Sequence, residues 1–144
     1  MEFTGQCRCG KVRISLRAEV RPPLYACHCL NCQQWSGSAF GLHLLCAAQA
    51  VEVSGPVREY RYEHHGHVST QYACEVCFTR LFNETTAAEG MRIVRAGVLE
   101  GAVQWTPQAH IWTKRRQSWI TLPAGVAQWP ESPTPEEFAT ALFE

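Results

Sequence analysis

Cys27-His28-Cys29-Leu30-Asn31-Cys32, followed by Gln33-Gln34-Trp35-Ser36-Gly37-Ser38, places three thiols within six residues. Thiols this close do not serve three separate structural purposes. At i, i+2 and i+5 of a turning loop they can converge on one cation, and Zn²⁺ is the usual one for thiolates at this density. Three ligands leave a tetrahedral ion one place short. A remote side chain can fill that place and close the site, or water or substrate can occupy it, which is the arrangement of catalytic zinc. A redox cluster, or a fragment of a larger structural site, is the alternative reading of the same thiols.

Upstream, Leu24-Tyr25-Ala26 reads as a short strand delivering the chain to these thiols. Before it, residues 11–17 alternate strictly between polar and apolar, which predicts a strand with one wet face, ended by Arg21-Pro22-Pro23. Earlier still comes Cys7-Arg8-Cys9-Gly10. A disulfide between residues i and i+2 would be badly strained, whereas both sulfurs can face one metal from a tight turn. Downstream, residues 39–46 read as a largely buried strand. His43 is expected there as a hydrogen-bonded strand histidine, and Cys46 as a buried, inert thiol.

Residues 51–53 form a brief strand broken by Ser54-Gly55-Pro56. A hairpin follows, with arms at 57–62 and 67–73 and Glu63-His64-His65-Gly66 as its turn. His64, His65 and His67 then belong to a solvated tip rather than a metal site. The second arm ends in the knuckle Cys74-Glu75-Val76-Cys77, which needs two more ligands. Cys7 and Cys9 are the matching pair and would complete a closed Cys₄ structural site. A thioredoxin-type redox pair is the alternative, but it belongs at a helix start in a βαβ setting. Further strands are expected at 79–82, 91–94, 96–99, 107–112 and 119–122, one helical turn within 85–90, and a loop at 123–133. The tail predicts a short helix over about 134–143, with Thr134 as N-cap, Pro135 first and Glu137 completing a capping box. Phe138 and Leu142 share its docking face.

The 144 residues suit a single domain, 46% hydrophobic and 18% charged, with a real core. Thirteen basic residues balance 13 acidic ones, so no nucleic-acid footprint is expected. Loading thiolate sites with zinc would make the protein mildly acidic. There is no Asp, which excludes a Ser/His/Asp triad. The start has no basic or apolar leader pattern and no apolar run reaches membrane-span length. The expectation is a cytoplasmic chain, away from membranes, whose eight cysteines bind metal or do thiol chemistry.

Taken together, Gly5-x-Cys7-x-Cys9-Gly10, Cys27-His28-Cys29-x-x-Cys32-Gln33-x-x-x-Gly37-Ser38, Cys74-x-x-Cys77-x-x-x-Leu81-Phe82, Ala96-Gly97-x-Leu99 and His110-Ile111-Trp112 resemble one family. It is the glutathione-dependent formaldehyde-activating enzyme family, also called the centromere-protein-V-like domain, and the resemblance runs from about Phe3 to about Trp119. It implies a mainly β fold, a zinc-stapled β-tent of antiparallel strands. It also implies two Zn²⁺ per chain, structural at Cys7, Cys9, Cys74 and Cys77 and functional at Cys27, Cys29 and Cys32. The implied activity is addition of glutathione to formaldehyde, giving S-(hydroxymethyl)glutathione, formally a carbon–sulfur lyase reaction. Gln33, Gly37, Ser38 and His110 are the implied substrate-binding residues. In one respect the chain departs from the family, with Phe78 where glycine usually follows the second knuckle cysteine.

The chemistry of an open zinc site agrees with that activity, because the thiolate is the nucleophile and a zinc ion can both favour it and polarise an aldehyde. His28 and His110 are the histidines to consider for proton transfer. A non-catalytic zinc-stapled binding module is the rival, with Cys46 or a histidine closing the tripod. Methionine sulfoxide reduction would need an exposed catalytic thiol, and only Cys46 is unassigned. A nucleic-acid-binding zinc ribbon conflicts with the charge balance and the long gap between cysteine pairs.

Overall fold

The computed structural model describes residues 1–143 and is mainly β. Its elements run β1 (Glu2–Gln6), β2 (Arg13–Arg17), β3 (Leu24–Cys27), α1 (Leu30–Ser36), β4 (Gly41–Ala47), β5 (Val51–Ser54), β6 (Val57–His64), β7 (His67–Cys74), β8 (Arg80–Thr85), β9 (Met91–Arg95), β10 (Ala109–Ile111), β11 (Ala127–Gln128) and α2 (Pro135–Phe143). Among the described residues no helix is long and apolar enough to cross a membrane. The described residues divide into two compact units, one of residues 1–22 and 44–104, the other of residues 23–43 and 105–143.

In the first unit, β2 pairs antiparallel with β1 and with β5. Its alternation does what the sequence predicts: Ile14 and Leu16 are buried while Arg13 and Arg17 stay exposed. Gly5 of β1 lies against Leu99, and a Cβ on it would sit 2.0 Å from the Val98 carbonyl oxygen. Only glycine allows that approach of two backbones. The segment it meets is not the strand expected at 96–99. Leu99 N–H bonds the Ala96 carbonyl instead, closing a 3₁₀ turn over Ala96–Val98.

β6, β7, β8 and β9 form an antiparallel run in the same unit. The β6–β7 hairpin is tighter than expected, since His64 pairs with His67 and leaves only His65 and Gly66 in the loop. Both have positive φ, 50° and 78°, the signature of a type I′ turn that matches strand twist. The expected helical turn appears at Thr86–Ala88, capped by the Thr85 hydroxyl.

The second unit departs from the all-antiparallel expectation in one respect. β10 pairs in parallel with both β3 and β11. β3 is buried at all four positions, as strands in parallel pairs usually are. β11 falls inside the stretch expected to be loop. Residues 119–122 are not a strand, because Ile120 N–H bonds Gln117 O and Ile120 O accepts from Arg116. α2 starts on the predicted capping box: Thr134 N–H donates to Glu137 at 3.0 Å and Glu137 N–H to the Thr134 hydroxyl at 3.1 Å. Phe138 packs edge-on to Tyr25 at 5.0 Å, and Leu142 is buried.

Candidate functional site

Each unit carries one cluster of sulfurs. In the first, Cys7 follows β1 in a tight turn closed by Gly10 N–H on Cys7 O, and Val12 N–H points at Cys7 Sγ from 3.2 Å. The partner pair sits where β7 ends: Cys74 N–H bonds Thr79 O, and Cys77 N–H lies 3.5 Å from Cys74 Sγ. The four Sγ atoms lie within 4.8 Å of one another. Cys7–Cys9 and Cys9–Cys74 sulfurs are 3.6 and 3.8 Å apart. A disulfide would need about 2.05 Å. Four sulfurs at the zinc–sulfur distance of about 2.3 Å stand roughly 3.8 Å apart at tetrahedral corners, so this donor set fits zinc.

Thr79 was not singled out by sequence, yet it joins the two halves of this cluster. Its hydroxyl accepts from Arg8 N–H at 3.0 Å and lies 3.1 Å from Cys77 Sγ. Donation from that hydroxyl, with help from the Thr79 amide, pushes the Cys77 thiol down to about 5. Phe78 adopts the left-handed conformation with φ 65° and is 69% exposed. A side chain there costs roughly 1–2 kcal/mol, part of which glycine would lose again to unfolded-state entropy. Phe78→Gly should therefore raise stability by about 0.5–1 kcal/mol in a thermal melt. A lower melting temperature would show that the exposed ring contributes packing.

The second cluster lies where β3 hands over to α1. Cys27 pairs with Ile111 of β10, and His28 N–H bonds Ile111 O at 3.0 Å, fixing the chain as it leaves the strand. Cys29 is then the N-cap of α1, its sulfur accepting Cys32 N–H at 3.3 Å. The tripod is thus not on a turning loop but on a strand end and the first turn of a helix. Cys29 and Cys32, three apart, share one helix face. The helix had one legible signal, Gly37 in the left-handed C-cap position after Ser36.

The three Sγ atoms lie within 4.8 Å of one another, and no fourth His, Cys or Glu donor joins them among the described residues. Donation from the Cys27 and Cys32 thiols, and from the Cys32 and Asn31 amides, pulls the Cys29 thiol down to about 2 against the cost of burial. The contacts with Cys29 and Cys32, and then burial, push the Cys27 thiol upward. Three cysteine sulfurs this close together are a donor set that fits zinc, with one tetrahedral place left over.

Of the remaining sequence candidates, Gln33 is held by backbone. Its Nε2 donates to His28 O and Arg115 O, both at 2.9 Å, and its Oε1 accepts from Gln117 at 3.3 Å. It clasps the tripod segment to the turn after β10. Gly37 caps α1, and Ser38 N–H bonds the Ser36 hydroxyl on an exposed loop. His110 meets His28, with Nδ1 of His110 and Nε2 of His28 2.9 Å apart, one donating and the other accepting. This contact follows from the β3–β10 register, which the sequence does not display. Burial, then the nearby His110 and Arg116, lower His28 to about 4, and burial lowers His110 too. Both shifts favour the uncharged form of the ring. The Nδ1 of His28 is buried with no hydrogen-bond partner among the described residues, and the Phe40 ring centroid lies 5.1 Å from its own.

His43 is buried beside Tyr25, and Cys46 is buried with Sγ on Leu44 O and its thiol pushed up to about 12 by burial. Neither joins a sulfur cluster among the described residues. The exposed His64, His65 and His67 sit at the hairpin tip.

A family model described as glutathione-dependent formaldehyde-activating enzyme matches residues 2–115. No curated protein matches the chain. Among solved structures, the crystal structure of a Rhodobacter sphaeroides protein superposes with a TM-score of 0.56 at 17% identity, covering 68% of this chain and 88% of that one. At that identity the likeness bears on the fold alone.

Proposed function

We propose that this chain, which belongs to the glutathione-dependent formaldehyde-activating enzyme family, joins the sulfur of glutathione or a similar thiol to formaldehyde or another small aldehyde. With formaldehyde the product is S-(hydroxymethyl)glutathione, formed by a carbon–sulfur lyase acting in the bond-making direction. The thiol sulfur bonds the carbonyl carbon, the carbonyl π pair moves to oxygen, and the thiol proton ends there. The observation that carries this reading is a group of three cysteine sulfurs with no fourth donor among the described residues. Cys27, Cys29 and Cys32 would hold the functional zinc, and Cys7, Cys9, Cys74 and Cys77 the structural one. When bound, the functional ion supplies Lewis acidity toward the aldehyde and favours the thiolate form of a thiol.

The chain's own groups do the positioning. The β3–β10 pairing and the Gln33 clasp hold the three sulfurs in one arrangement, which lets a bound thiol meet the aldehyde without a further orientational search. Cationic residues follow β10 in the tract Lys114-Arg115-Arg116. Lys114 pairs with Glu131, and Arg116 bonds the Thr113 and Ile120 carbonyls. Arg115 is exposed, and its carbonyl is the one Gln33 binds, so it stands beside α1. Its guanidinium suits a carboxylate of glutathione. Arg115→Glu should raise KM for glutathione about fivefold, the size of an exposed charge contact, and leave the neutral 2-mercaptoethanol unchanged. An equal effect on both thiols would remove Arg115 from substrate recognition.

The reading is tested by NMR exchange spectroscopy of glutathione and formaldehyde with the zinc-loaded protein. Adduct formation should exceed the spontaneous rate. Exchange equal to that in buffer would leave the family and the sulfur clusters standing and remove the activity.

A further inference from the structure

We propose that β6 is the interface of a weak, symmetric dimer, in which two copies of this chain pair their β6 edges antiparallel about a two-fold axis at Tyr60. Among the described residues β6 is the end strand of its sheet and pairs only with β7. It is eight residues long, and Arg58, Glu59, Tyr60 and Arg61 are exposed. An edge of that length presents a row of open backbone groups that another strand can satisfy.

The hairpin register says which groups those are. With a two-residue loop, His64 and His67 exchange both backbone bonds, and alternate residues back to Arg58 do the same with β7. Glu75 N–H on Pro56 O continues that pattern. Val57, Glu59, Arg61 and Glu63 therefore turn their N–H and C=O outward. A second β6 can meet them only in registers that set outward residues against outward residues.

Charge then selects among those registers. An axis at Glu59 sets Glu59 against its own copy, and an axis at Arg61 sets Arg61 against its own copy. Either arrangement opposes like charges directly, which destabilises a pair. An axis at Tyr60 sets Glu59 of each copy against Arg61 of the other, twice. On the opposite face it stacks Tyr60, 59% exposed, on its counterpart and brings Arg58 to the Tyr62 ring. An axis at Tyr62 also opposes unlike charges but leaves Val57 to Glu59 largely outside the ladder. Charged edges usually prevent association when they carry one sign; here both signs alternate and complement themselves around one residue. The contact is one ladder wide, so the dimer belongs at the weak, concentration-dependent end.

Sedimentation equilibrium of the zinc-loaded protein at low salt should show a weight-average mass rising with concentration from one chain toward two. Amide exchange at Glu59, Arg61 and Glu63 should slow over the same range. Arg61→Glu places glutamate against Glu59 on both sides of the axis and should weaken association at least about tenfold. Adding Glu59→Arg reverses both charges and should restore it. A mass of one chain at every concentration overturns the proposal. So does association that Arg61→Glu leaves unchanged, or that the double swap fails to restore.

Discussion

Cys77→Ser should remove most of the chain's resistance to heat, or its soluble expression, while Cys29→Ser melts within about 5 °C of the parent. The difference follows from what each cluster ties together. Cys7 and Cys9 leave β1, Cys74 closes β7, and Cys77 sits in the knuckle before β8, so the four sulfurs staple distant parts of one unit. A structural zinc is worth about 10–16 kcal/mol in small zinc domains, as much as the whole net stability of an ordinary domain. Cys29 instead caps a seven-residue helix next to Cys27 and Cys32, which the chain already holds close. Serine is itself a good N-cap, so the bond to Cys32 N–H survives the substitution. Equal losses in the two variants would show that the division into a stapling and a working cluster is wrong.

The same variant should be close to inert. Removing one of three donors would take away the hold on the proposed zinc ion, whose Lewis acidity would be worth several kcal/mol of barrier. At about 1.4 kcal/mol per factor of ten, that is a loss of at least about a hundredfold in adduct formation. Cys46→Ser should keep the parent rate, because its buried thiol stands outside both clusters. Retained activity in Cys29→Ser, with Cys46→Ser inactive, would move the chemistry to the one thiol assigned no part in it.

Most of the sulfur arrangement was legible in the sequence because metal sites impose short, rigid spacings. The Cys7/Cys9 and Cys74/Cys77 pairs announced each other across more than sixty residues, and the structure brings them together. Strands with one wet face were legible too, as in β2, where alternation alone places Ile14 and Leu16 inside. What escaped was whatever depends on a partner far along the chain. The segment at 96–99 has strand composition but meets Gly5 with its backbone and turns instead. Residues 119–122 look equally extended, yet Ile120 spends its backbone bonds on Gln117 and Arg116. The parallel β3–β10 pairing is invisible locally, and with it the His28–His110 contact, although both histidines were candidates. Gln33 was expected against substrate, and the two carbonyls its amide binds, His28 O and Arg115 O, are contacts the sequence does not display.

The central claim is that the tripod keeps a place for an incoming thiol, and coordination number tests it most directly. Zinc, with a filled d shell, gives no visible spectrum, so cobalt is substituted at both sites. Glutathione is then titrated into the loaded protein. The account predicts stronger sulfur-to-cobalt charge-transfer bands and shifted visible bands as a fourth sulfur binds, over a constant background from the four-cysteine site. It predicts the same response in Cys46→Ser. A spectrum indifferent to glutathione but altered by Cys46→Ser would mean that the protein closes its own site, and would contradict the enzymatic reading in favour of a structural one.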